Sequence, residues 1–277
     1  MTPARPRVSG HFLPGSRGAL AVVLWEPPPG TDTVAAVLHV PAFGDEMNKS
    51  RRMVALQARA LASHGIAVAA LDPSGTGDSE GEFADAAWEA WCEDVRVAWA
   101  WLEAAGPRRV LWGLRLGALL CADAAARATL APAAVVLWQP VLSGRGFFRQ
   151  LLRLPAAQRL AGAQGRDQPS HAGQPLEVGG YPLNPALVEA ADACSLDSLP
   201  FGCPVAWFEA TIASPPTLSP AALRVIEGWR AGGAEVSVSA VSAPSFWSSQ
   251  EIAEAPALIA ATTASLAALF HVSHQGA

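Results

Sequence analysis

The run Val110-Leu-Trp-Gly-Leu-Arg-Leu-Gly-Ala-Leu-Leu120 sets one cation, Arg115, between Gly113 and Gly117 where an apolar strand passes into an apolar helix. Small residues on either side let the chain turn sharply and thrust the central side chain outward. A guanidinium stays protonated at working pH and has no nucleophilic lone pair, so it cannot form a covalent acyl intermediate. It can hold an anion: a helix N-terminus already favours negative charge, and the planar fork fits a carboxylate or phosphate. Asp45, Glu46, Asn48 and Lys49 follow a second strand and can either neutralise that cation or share its ligand. A water activated by Glu46 or Asp72, with Arg115 stabilising a developing oxyanion, is the hydrolytic alternative.

These residues need a frame, and apolar runs of strand length alternating with amphipathic runs of helix length supply one. Strands are expected at 19–25, 34–40, 66–71, 109–112, 134–138, 205–211 and 235–241, and helices at 49–63, 86–104, 116–128, 220–230 and 256–270. This alternation predicts an α/β domain, a mostly parallel sheet with helices on both faces. The first strand, followed by Pro27-Pro28-Pro29-Gly30, reads as an antiparallel edge or hairpin element. Trp88, Trp91, Cys92, Val95, Trp99 and Leu102 recur at helical spacing and are read as core. From 142 to 200 the pattern changes. A basic amphipathic helix over 145–160, a polar loop over 161–174 and then a short strand-like piece with one helix are expected to form a lid over the carboxyl edge of the sheet.

Composition closes off other classes. The chain has 277 residues, 51% hydrophobic and 16% charged, with formal net charge −5 and a single lysine, Lys49. One α/β domain spanning 1–277 is long enough to bury a full core, and no basic cluster points to nucleic acid. Cys92, Cys121, Cys194 and Cys203 are scattered without metal-ligand or disulfide spacing, so neither a metal nor a cofactor is expected and a reducing compartment is the simplest reading. Residues 1–15 carry Pro3, Pro6 and Pro14 and lack the apolar stretch of an export signal. The uncharged stretch 255–272 is rich in Ala, Thr and Ser and puts Leu258, Ile259, Thr262, Leu266, Leu269 and Phe270 on one stripe, which suits a helix on a core and not a membrane span.

Three segments in order carry a resemblance. They are the strand and loop Leu38-His-Val-Pro-Ala-Phe-Gly44, the Gly-rich turn Asp72-Pro-Ser-Gly-Thr-Gly-Asp-Ser-Glu-Gly81, and the Gly113–Gly117 turn. Their order and spacing resemble an α/β-hydrolase, with an oxyanion loop and a nucleophile elbow. The run from Pro41 to Met53, the paired tryptophans after Asp85, Gly113-Leu-Arg-Leu-Gly117, Gly180-Tyr181 and Ser245-Phe-Trp247 resemble one bacterial group, exosortase A system-associated hydrolase 2. The resemblance implies a cytoplasmic protein that works beside exopolysaccharide synthesis and exosortase-dependent sorting, with proteins of those systems as partners. A fold does not establish a reaction.

Where that superfamily needs a serine, this chain has Arg115. The loop after the last strand, 242–250, should carry the general base but holds Ser245, Phe246 and Trp247 and no histidine. The six histidines are His11, His39, His64, His171, His271 and His274, with His39 at the end of a strand leading into the oxyanion loop. Glu209, after 205–208, is the candidate for the acid position. Cys121, Ser74 and Ser79 are read as structural, as is Asp72, whose carboxylate is expected to brace the Gly-rich turn. The candidate anion or acyl site therefore comprises Arg115, Leu116, Phe43, Glu46, Asn48, Lys49 and Trp247. Either Glu46 or Asp45 pairs with Arg115 and closes the pocket, or Arg115 stays free for a small acidic ligand; both remain open at this stage.

Overall fold

The protein is seen in a computed structural model that describes residues 5–162, 176–178, 180–198 and 201–270. Its elements run β1 (Arg7–Gly15), β2 (Gly18–Glu26), β3 (Ala35–Val40), α1 (Asp45–Ala62), β4 (Ile66–Leu71), α2 (Trp88–Trp101), β5 (Arg109–Leu114), α3 (Leu116–Ala128) and β6 (Ala134–Trp138). Then come α4 (Gly144–Gly162), β7 (Leu176–Val178), β8 (Tyr181–Leu183), α5 (Pro185–Asp192), β9 (Val205–Thr211), α6 (Pro220–Ala231), β10 (Val236–Ser242) and α7 (Pro256–Leu269). Eight strands form one sheet in the order β1-β2-β4-β3-β5-β6-β9-β10. Pairing is parallel from β4 to β10, while β1–β2 and β2–β4 are antiparallel.

The central strands β3, β5 and β6 are buried on both faces, as continuous apolar runs in a parallel sheet require. Period-two alternation sends Ala36, Leu38, Val40, Leu111, Val135 and Leu137 to a core shared with α2, α3 and α6. It sends Val37, Val110, Trp112, Val136 and Trp138 to a second core shared with α1 and α7. Helix α7 buries Leu258, Thr262, Thr263 and Leu266, and its threonines accept from Trp138 Nε1 at 2.8 Å and Gln57 Nε2 at 3.0 Å. No helix among the described residues is long and apolar enough to cross a membrane.

Two elements differ from expectation. Residues 7–15 form a full edge strand paired residue for residue with β2, although most of its side chains are exposed. Helix α1 begins at Asp45, four residues before the expected start, because Gly44 takes φ 56° and the acidic pair Asp45 and Glu46 fills the first turn, where the helix dipole favours anions. The 142–200 insertion contains α4, the β7–β8 hairpin and α5; the expected polar loop at 161–174 lies almost wholly outside the described residues.

Candidate functional site

Arg115 is the hinge between β5 and α3, with φ 56° and ψ −120°, a left-handed conformation that is uncommon for a residue with a Cβ. The turn is over-determined by its neighbours. Arg115 N–H donates to the Trp138 carbonyl at 3.0 Å, and the Arg115 carbonyl accepts from Val141 and Ala118, both at 3.1 Å. A Cβ at Gly113 would collide with the Ala118 backbone, and one at Gly117 with the Val40 and Pro41 carbonyls, so both glycines are required by close approach. The strand therefore has one way to enter α3, and it presents the Arg115 side chain at the carboxyl edge of the sheet.

That side chain meets Glu46 from the first turn of α1. Arg115 Nη2 donates to Glu46 Oε1 at 3.1 Å, and Nε lies 3.2 and 3.3 Å from the two carboxylate oxygens. The two side chains keep 21% and 22% of their surface, so the pair is mostly withdrawn from water. Burial pushes the Glu46 carboxyl above the usual range, and the attraction of Arg115 and Lys49 does not fully restore it. The Trp247 ring, from the loop after β10, stands 5.4 Å from the Arg115 guanidinium carbon, a cation–π distance. Arg115, Glu46 and Trp247 thus converge from three distant stretches of sequence.

The other predicted site residues divide. Leu116 and Phe43 line an apolar cleft with Met47, Trp88, Trp91 and Leu120, but its free volume is only ≈ 20 Å³. Phe43 closes it, with ring centroids at 5.4 Å from Phe83 and Phe148 and 5.9 Å from Phe147. Asn48 faces the insertion, donating to the Tyr181 hydroxyl at 2.9 Å. Lys49 turns aside to Asp45 at 2.8 Å. Of the two closures open from sequence, the Glu46 pair is the one formed.

Glu209, near the end of β9, is 6% exposed and accepts from Trp207 Nε1 at 3.2 Å and from Ser219 N–H at 2.9 Å, holding the loop before α6. Asp72 accepts from Asp78 N–H at 3.0 Å, bracing the Gly-rich turn, and also from Arg51 Nη2 at 3.0 Å, a partner that sequence reasoning missed. Cys121 is fully buried, and burial pushes its thiol far up, which makes it inert at neutral pH. Ser79 donates to the Asp72 carbonyl within the Gly-rich turn, and Ser50 donates to the Glu46 carbonyl within α1. Among the described histidines, His11 lies tilted against Trp101 and His64 Nδ1 lies 2.8 Å from the Ala60 carbonyl. His39 is 2% exposed and lies against Trp112 on the α1/α7 side of the sheet, with its centroid at 4.2 Å. Among the described residues no group of His, Cys, Asp and Glu could hold a metal ion.

The architecture can be set beside known proteins. Est1E from Butyrivibrio proteoclasticus, solved with ferulic acid bound, superposes with TM-score 0.65 at 15% identity over 94% of this chain and 99% of that one. Proline iminopeptidase from Mycobacterium smegmatis gives 0.62 at 15% identity, over 95% and 99%. A putative hydrolase from Agrobacterium vitis S4 gives 0.60 at 16% identity, over 96% and 99%. At such identities the likeness establishes an α/β-hydrolase fold and nothing about activity. No curated protein matches the sequence. The family model described as serine aminopeptidase, S33, matches residues 16–172, more than half of the chain and the whole of the β3–α1 loop, Gly-rich turn and elbow, so the protein belongs to that family of α/β-hydrolases.

Proposed function

We propose that this is a non-serine α/β-hydrolase of the exosortase A system-associated hydrolase 2 group, which binds a small anionic or acyl molecule and does not form an acyl-enzyme. The observation that carries the reading is the guanidinium of Arg115 at the elbow, clasped by Glu46 and faced by Trp247. The elbow offers charge where acyl transfer needs a hydroxyl, and the loop after β10 brings an indole where that chemistry needs an imidazole. Binding then works by exchange: a ligand carboxylate or phosphate takes the place of Glu46 on Arg115, and its apolar part displaces Phe43 from the cleft above Leu116. The 142–200 insertion acts as the lid over that cleft. The expected setting is cytoplasmic, with an intermediate of exopolysaccharide or acyl metabolism as ligand.

The test pairs two measurements on the full chain. A fluorophosphonate probe should leave the protein unlabelled, and decanoate should bind in a way that Arg115→Ala abolishes without unfolding the protein. Stoichiometric labelling, or equal decanoate affinity in the variant, would overturn the reading.

One observation favours a catalytic alternative, an ester or thioester hydrolase or acyltransferase acting on a polysaccharide or lipid precursor. Glu46 is a carboxyl with a raised pKa beside a fixed cation, the pairing that general-base activation of a water requires. Hydrolysis of p-nitrophenyl acetate that disappears in Glu46→Gln would select it.

A further inference from the structure

A second cavity lies behind the site, on the α1/α7 face of the sheet. It has a volume of ≈ 220 Å³ and is walled by Trp25, His39, Met47, Arg51, Val54 and Asp72, among others. Pro41, Ala42 and Met47 separate it from the cleft above Leu116, since all three line both. It is far larger than the roughly 30 Å³ share of one water and a little below the roughly 300–1,000 Å³ of drug-sized pockets.

Its chemistry is defined by cancellation. Arg51 and Asp72 are paired at 3.0 Å, so the one cation and the one carboxylate of the wall neutralise each other. Burial, reinforced by Arg51 and only partly opposed by the Trp112 backbone, pushes His39 down to about 3, which leaves an un-ionised imidazole with one donor and one acceptor nitrogen. His39 Nδ1 is buried with no hydrogen-bond partner, and so is Trp25 Nε1. Ser50 Oγ is already committed to the Glu46 carbonyl at 2.6 Å. Most of the remaining wall is aliphatic, from Val23, Val54, Leu71 and Leu114. A charged guest would have to compete with the Arg51–Asp72 pair or leave its own charge without a partner in an apolar space.

We propose that this cavity is a binding site for a small, uncharged, largely apolar molecule bearing one hydroxyl, whose hydrogen-bonding partner is His39. The site is independent of the Arg115 reading, although its occupant touches Met47 in the same turn of α1 that carries Glu46.

The experiment titrates the full chain at pH 7 with 4-fluorophenol and, separately, with 4-fluorobenzoate, followed by fluorine NMR. Saturable binding of the phenol is expected, with the benzoate at least tenfold weaker. Ala55→Phe, which pushes a ring from α1 into the cavity, should abolish binding; Val23→Phe does the same from β2 and serves if the first variant does not fold. His39→Phe keeps a ring tilted against Trp112 and should weaken binding about threefold to tenfold, the worth of one neutral hydrogen bond. No saturation, benzoate binding as tight as phenol, or affinity that survives a folded cavity-filling variant would each overturn the proposal.

Discussion

Helix α1 supplies one member of each of two arginine–carboxylate pairs, one at the elbow and one beside the Gly-rich turn, and they are built differently. Glu46 with Arg115 is balanced, each side chain about one-fifth exposed, and the residues that follow each of them, Met47 and Leu116, line a cleft of ≈ 20 Å³. Arg51 with Asp72 is lopsided, 45% against 11% exposed, and it flanks a cavity of ≈ 220 Å³. The first cation has withdrawn most of its surface from water and depends on its partner. The second can recover its hydration when the partner leaves, and Asp72 keeps its bond from Asp78 N–H in either case. Exposure, more than separation, sets what a pair is worth.

Removing one partner is the hardest test of that contrast. Glu46→Ala leaves Arg115 facing the Trp247 ring without its carboxylate and should cost about 2 kcal/mol in chemical denaturation, less than the 3–5 kcal/mol of a fully buried broken pair because water still reaches both groups. Glu46→Leu combined with Arg115→Leu should recover most of the loss; a double variant as unstable as the single one would mean that packing, and not charge, was lost.

The pH response comes next in size. Because burial raises Glu46 in the folded state, the folded protein takes up this proton before the unfolded chain does, so Glu46 contributes stability as pH falls through its raised range and withdraws it as pH rises. The same protonation loosens Arg115. Decanoate should therefore bind more tightly as pH drops from neutral toward the upper edge of the carboxylate range, by up to about tenfold per pH unit, and Glu46→Gln should flatten the dependence. A dependence that persists in that variant would point to another group. The smallest effect belongs to the other pair: Arg51→Ala should change stability by only about 0.5 kcal/mol, and a loss matching that of Glu46→Ala would erase the distinction.

The parts of this arrangement differ in how far the sequence discloses them. Strands β4, β6 and β9 fall on the residues expected, since each is an apolar run bounded by turn residues. Strand β1 escapes because an edge strand with mostly exposed side chains and a proline at its end shows no apolar alternation. Arg115 is legible because the glycine-framed turn has one outcome, and its direction brings the acidic start of α1 into reach. The Arg51–Asp72 pair is not, because it depends on which face α1 turns to the sheet once the helix begins at Asp45 and not at Lys49. The burial of His39 could have been found: it is two residues from Val37 on a strand buried on both faces, so the same alternation that turns Val37 toward α1 and α7 turns the imidazole there too. Trp247 was placed near the site by its loop, but no sequence rule specifies that its ring should face a guanidinium.

Helix α1 is also tied at further points along its length. Asn48 bonds Tyr181 in the β7–β8 hairpin, Arg52 bonds Glu254 before α7, and Gln57 bonds Thr263 within it. A rod fastened so many times cannot swing about one anchor while the others stay at rest. Parting the hairpin from the helix therefore costs the exposed Asn48–Tyr181 bond, while Arg52 and Gln57 keep the grip on the elbow in place.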